Sequence, residues 1–173
     1  MNKKKKSSKE DYAGRALWIG VACIFGAFYF IAPTLFTTEK SLIKRNGKID
    51  FVETYYSQVS SRGYNSIKSE LKFAIENDNR KYVIFKNIEQ KRTNEKYERI
   101  KNNLNNSGRV AVWIKENEKS SVQPKVFRIV NGQNEILYNM DDVKSELKFA
   151  FPILLIFGVF NIGLYLNHKY QLL

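Results

Sequence analysis

A chain of 173 residues leaves room for one modest domain and not two. Its 29 Lys and Arg against 17 Asp and Glu give a formal charge of +12, and it carries one histidine and one cysteine. The lone Cys23 excludes an intrachain disulfide and a thiolate metal cluster, and the lone His168 lies so late that a Ser-His-Asp or Cys-His arrangement cannot be built in the middle of the chain.

Residues 1–15 form a basic tail, with Lys3, Lys4, Lys5, Lys6, Lys9 and Arg15 set against Glu10 and Asp11. Such a cluster reads as a topology signal and solvated leader. Near a bilayer it is drawn to anionic headgroups by about 1 kcal/mol per cation. Residues 16–36 then run without a charge. As a helix they span roughly 31 Å, the thickness of a hydrocarbon core. The run is longer than the apolar region of a cleavable signal peptide. Trp18 stands at its edge as a membrane-interface anchor, and Pro33 falls in its last turn, where a missing hydrogen bond costs least. Ala22 and Gly26 have the spacing that lets membrane helices approach closely. Cys23, inside the run, is expected to be an inert small hydrophobe.

Residues 37–147 predict a small β-rich domain. Residues 41–47 read as a connector with Gly47 as a turn, followed by a strand at 48–55 and a polar loop at 57–65. A strand at 69–75 puts Leu71, Phe73 and Ile75 on one face. After the turn Asn77-Asp78-Asn79 it returns as a strand at 82–85. Tyr97, Ile100 and Leu104 set one apolar stripe on a helix at 93–105, with Thr93 as its cap and Gly108 beyond its end. Strands follow at 109–115, 126–130 and 136–140, the last pair joined through Asn131-Gly132. Six short strands and one helix imply an α+β domain, mostly antiparallel, built as a small barrel or curved sheet.

The second charge-free run covers residues 149–166, with Pro152 placed in the first turn of the expected helix. Asn161 is its one strongly polar side chain. An unsatisfied amide in hydrocarbon costs several kcal/mol, so it is expected to face another helix or a wet cavity. Gly158 and Gly163 are the small residues available for helix packing here. Residues 167–173 are a short tail. Six basic residues precede the first span, and four (Lys40, Lys44, Arg45 and Lys48) follow it. This bias places both termini in the cytoplasm and the central domain outside it. From Glu39 to Lys148 there are 22 basic and 15 acidic residues, a net of +7. The heptapeptide KSELKFA occurs at 68–74 and again at 144–150, with no physical account beyond chance or local duplication.

No glycine-rich phosphate loop and no zinc-like ligand spacing is present, so no cofactor, metal or catalytic residue is expected. Asp141-Asp142 reads as a solvated turn. Tyr55, Tyr56, Tyr64, Tyr82, Trp113 and Tyr138, with Lys and Arg interspersed, form either a binding face or core and cross-strand pairs. The layout of helix, short strands, a Gly-Arg-Val-Ala-Val strand at 108–112 and a second helix resembles bacterial two-pass membrane proteins of unknown function that carry a small β-domain between their helices. The resemblance implies an inner-membrane location and no activity. The leading expectation is a non-enzymatic module that binds another envelope protein or an incoming factor at the membrane surface. The alternatives are a subunit of a homo-oligomeric channel or transporter lined by Asn161, and a nucleic-acid-binding protein if the domain is cytoplasmic.

Overall fold

A computed structural model describes residues 3–61, 63–86 and 91–170, apart from the side chains of residues 3–11, 61, 64, 66, 85, 86, 91 and 92. The chain divides into two compact units: Met1–Thr37 with Val143–Leu173, and Thr38–Asp142.

In the first unit, helix α1 (Lys3–Gly26) continues through a π-helical turn (Ala27–Ile31) into α2 (Ala32–Leu35). The wide turn has a local cause. Pro33 has no N–H to donate, and in a regular helix its ring meets the carbonyl four residues back. The π turn opens the helix just before it, with the Ala32 N–H reaching back five residues to the Ala27 carbonyl. Thr37 then closes the end, its hydroxyl donating to the Pro33 carbonyl at 2.7 Å. Lys144 Nζ donates to the Thr37 carbonyl at 2.5 Å.

The returning helix α5 covers Leu147–Tyr170 and starts before the charge-free run does. Pro152 is therefore inside the helix and not in its first turn, because Leu147 and Lys148 extend the helix backward whatever their polarity. Helices α1 and α5 meet at two glycines. A Cβ on Gly20 would lie 2.8 Å from the Gly158 carbonyl oxygen, and one on Gly158 would lie 2.7 Å from Ile24 Cγ1. Phe28 and Phe36 both meet the Phe151 ring edge-on, at centroid distances of 5.6 and 5.5 Å. By length and composition, both helical stretches, Tyr12–Leu35 and Met140–Tyr170, suffice to cross a membrane.

The second unit is a six-stranded antiparallel sheet in the order β3-β2-β1-β4-β5-β6. Its elements are β1 (Leu42–Ser61), β2 (Tyr64–Ile75), β3 (Lys81–Lys86), α3 (Lys91–Ser107), β4 (Arg109–Lys115), β5 (Val126–Asn131) and β6 (Ile136–Tyr138), and the short α4 (Met140–Lys144) begins in it and ends in the first unit. Strand β1 is not short. Of residues 41–47 and 57–65, expected as connector and loop, 42–47, 57–61 and 64–65 are strand, and Ser41 ends a 3-10 turn. Pairing overrides their turn-like composition: Leu42–Lys48 pair with β4, and Ile49–Ser61 pair with β2. A bulge between Ile49 and Phe51 marks the place where the strand passes from one partner to the other. Gly47 sits at that corner, where a Cβ would collide with Ile75 Cγ2.

The expected β2–β3 hairpin is present, with Phe73 opposite Tyr82 and their rings stacked at 5.4 Å. Leu71, Phe73, Ile84, Val112, Ile114 and Ile129 fill the core. Helix α3 lays Tyr97, Ile100 and Leu104 onto it, all three buried as the stripe predicts. The helix begins two residues before Thr93, which is buried inside the first turn and is not its cap. Gly108 follows the helix with φ +61°. The last hairpin is not a two-residue Asn-Gly turn. The Asn131 side-chain oxygen accepts the N–H groups of Gln133 and Glu135 at 3.0 and 2.8 Å, which holds a longer loop, and Met140 begins α4. The outer edge of β3 meets the segment entering β5. Lys81 N–H donates to the Val122 carbonyl and Val83 N–H to that of Pro124, with a parallel bridge between Val83 and Lys125.

Candidate functional site

The residues singled out for helix packing separate into two groups. Gly158 and Asn161 are buried, with Gly158 in the closest approach to α1. Ala22 is exposed, and a Cβ on Gly26 or Gly163 would meet no atom within 4 Å. Gly20, which the spacing of Ala22 and Gly26 does not pick out, is the partner of Gly158. Asn161 is buried, and its Nδ2 donates to the Phe157 carbonyl one turn back, at 2.8 Å. Trp18 is exposed on α1.

The aromatic residues do not share a face. Tyr82 and Tyr138 are buried, and Tyr82 belongs to the core. Tyr55 and Tyr56 are neighbours on a strand and point to opposite faces. Tyr56 donates to Glu98 of α3 at 2.7 Å, and Thr54 donates to the same carboxylate at 2.6 Å. These two donors hold the Glu98 carboxyl below the usual range. Tyr55 lies on the other side, beneath Lys72 Nζ at 4.9 Å. Trp113 is held on the outer face between Lys44 of β1 and Arg128 of β5, at 5.2 and 5.1 Å from its ring. The side chain of Tyr64 lies outside the described residues.

A different set of residues lines a groove of about 610 Å³. Arg45 and Asn46 of β1, the turn Glu76–Arg80 and the loop residues Ser120–Val122 line it. The turn exists because Asn77 takes the left-handed conformation (φ 61°), which asparagine tolerates. Asp78 organises the rest of the turn. Its carboxylate accepts from the Tyr82 hydroxyl at 2.7 Å, from Arg80 Nη1 at 3.0 and 3.1 Å and from the Arg80 N–H at 3.2 Å. Burial alone pushes the Asp78 carboxyl up, but these bonds outweigh it and hold the group below its ordinary value. Arg80 reaches across with its other nitrogens to the Lys119 carbonyl, at 3.1 and 2.7 Å, and so ties the two walls together.

No family model matches the chain, and no curated protein or solved structure matches it.

The groove therefore stands on its own chemistry: the guanidinium of Arg45, the Arg80–Asp78 ion pair, the Glu76 carboxylate, and the amides and hydroxyls of its other lining residues. Among the described residues no cluster of three His, Cys, Asp or Glu is placed to hold a metal ion. In the sequence, Asn77-Asp78-Asn79 reads only as a turn, and Arg45 only as a charge near the first span. The alternation of Ile43, Arg45 and Gly47 on one face of a strand was the available signal. It was hidden by the reading of 41–47 as a connector.

Proposed function

We propose that the protein is a membrane-anchored, non-enzymatic interaction module whose two helices hold the Thr38–Asp142 domain at a bilayer surface, where it binds another envelope protein or an incoming factor. One observation carries this reading. With α1 and α5 packed on each other through Gly20 and Gly158, large apolar side chains still point outward, among them Phe30 at 71 %, Ile156 at 70 % and Val159 at 62 % exposure. An apolar girdle around two helices of spanning length belongs in hydrocarbon, not in water. Two spans return both termini to one side, and the six basic residues of the leader favour the cytoplasm. A second reading, nucleic-acid contact, draws support from the strand order. A curled β1-β2-β3, a helix, then β4 and β5, with β3 meeting β5 in parallel, is the arrangement of the barrel used for oligonucleotides and oligosaccharides. That is analogy at the level of fold alone.

The test combines extraction and labelling. Wild type should stay with membranes through alkaline carbonate extraction; release into the supernatant overturns the anchor. In a Cys23→Ser background, Ser120→Cys should react with an impermeant maleimide on intact cells. Labelling only after lysis overturns the orientation and makes nucleic acid the live partner.

A further inference from the structure

We infer that the groove between β1, the 76–80 turn and the 120–122 segment binds the oxyanion of a small polar ligand, a carboxylate or a phosphate, with Arg45 as its anchoring cation. The inference concerns the second unit alone and does not depend on the membrane reading.

Arg45 stands where the alternation of β1 asks for an apolar residue. It lies opposite Val112, which is fully buried, and between Ile43 and Gly47 on the same face. Its Nε is buried and finds no acceptor, and no carboxylate pairs with its side chain among the described residues. A guanidinium N–H shut away from water without an acceptor is costly, and a bound anion offsets that cost with charge-assisted bonds.

The other charges in the groove are already engaged. Arg80 is held by Asp78 and by the Lys119 carbonyl, and Asp78 is held by Arg80 and Tyr82. Glu76 lies 4.0 Å from Lys48. Among the described residues of the groove, one uncommitted cation remains. Around it Asn77, Asn79 and Ser120 are exposed and carry no side-chain hydrogen bond among the described residues, so they can receive hydroxyls and carbonyls of a ligand. A guanidinium takes carboxylate or phosphate oxygens in pairs, and the groove volume falls in the range of small-ligand sites. No aromatic ring stands among its lining residues, so the recognised body is polar and not a stacked base.

The experiment titrates the full-length chain in detergent micelles with two probes, inorganic phosphate and glucuronate, and follows backbone amides and arginine Nε–H signals by NMR. At least one probe should give saturable shifts of the Arg45 Nε–H and of the amides at 77–79 and 120–121. The probe that binds names the oxyanion. Arg45→Gln should raise its Kd about tenfold or more, whereas Lys44→Gln, which removes a charge from the outer face, should leave Kd within about twofold. Should Arg45→Gln fail to fold, Ser120→Glu at the exposed rim must weaken binding by repulsion to a similar degree. Absence of saturable shifts with both probes overturns the inference. So does equal weakening by Lys44→Gln, which marks diffuse attraction, and so does unchanged affinity in folded Arg45→Gln or in Ser120→Glu.

Discussion

Tyr82 shows how one side chain ties core, turn and groove together. Its ring packs on Phe73 inside the sheet, and its hydroxyl donates to Asp78 at the start of the groove wall. Burial first, and the Asp78 carboxylate second, push the phenol up to about 12 from an ordinary 10.0. The unfolded chain thus loses this proton before the folded chain does. The stabilisation is whole below pH 10 and disappears as pH climbs toward 12. Asp78 is the opposite case: its carboxyl is held low, so its contribution is present above the ordinary carboxylate range and is lost as pH falls through the folded value. Tyr82→Phe should cost about 0.5–1.5 kcal/mol at neutral pH and make the alkaline fall in the urea midpoint shallower. An alkaline limb as steep as that of wild type would contradict the shift. None of this was legible from the residue alone. Tyr82 in the string YVIF reads more readily as a core or cross-strand position than as part of a binding face, and the register with Phe73 decides.

At the scale of elements, the two helices depend on where small residues fall, not on how many there are. Gly158→Leu must push its side chain into Ile24 and the Gly20 backbone. Gly163→Leu enters open space. The first should separate α1 from α5 and lower the thermal unfolding temperature in detergent by several degrees, and the second should leave it near wild type. Equal effects would refute the packing. Sequence spacing found the right residue type on both helices but the wrong pair on α1, because a repeat of four fixes one stripe and not its rotation toward a partner. Helix α3 was readable because its stripe is sparse: Tyr97, Ile100 and Leu104 stand almost alone among charged and amide side chains. Strand β1 was not readable in full. Gly47 and the serine-rich stretch before Gly63 have the composition of turns, and only pairing with β4 and β2 makes them strand.

At the scale of the whole chain, the division into two units predicts separable behaviour. A fragment spanning Thr38–Asp142 contains every strand and the core beneath α3. It should be soluble without detergent, unfold in one cooperative step and remain monomeric by light scattering. A fragment that precipitates or melts without cooperativity would show that the helices are part of its stability. The charge-free runs and the β-rich middle, together with the strand count, were visible in the sequence. The sheet order was not, since it is set by contacts between segments far apart.

The sharing of β1 between two partners also sets a timetable during synthesis. Leu42 pairs with Lys115, 73 residues further on, so the first half of the strand must wait until α3 and β4 have been made. At about 5–20 residues per second that wait is roughly 4–15 s. Throughout it, the nascent chain presents the edge Leu42–Lys48 without its mate, next to an apolar segment already made. Contacts of such long range fold slowly, and an unpaired edge is a template for pairing with another chain. A translational stall inside α3 would therefore yield a sticky intermediate, while a stall once the chain through Tyr138 has emerged, with every strand made, would not.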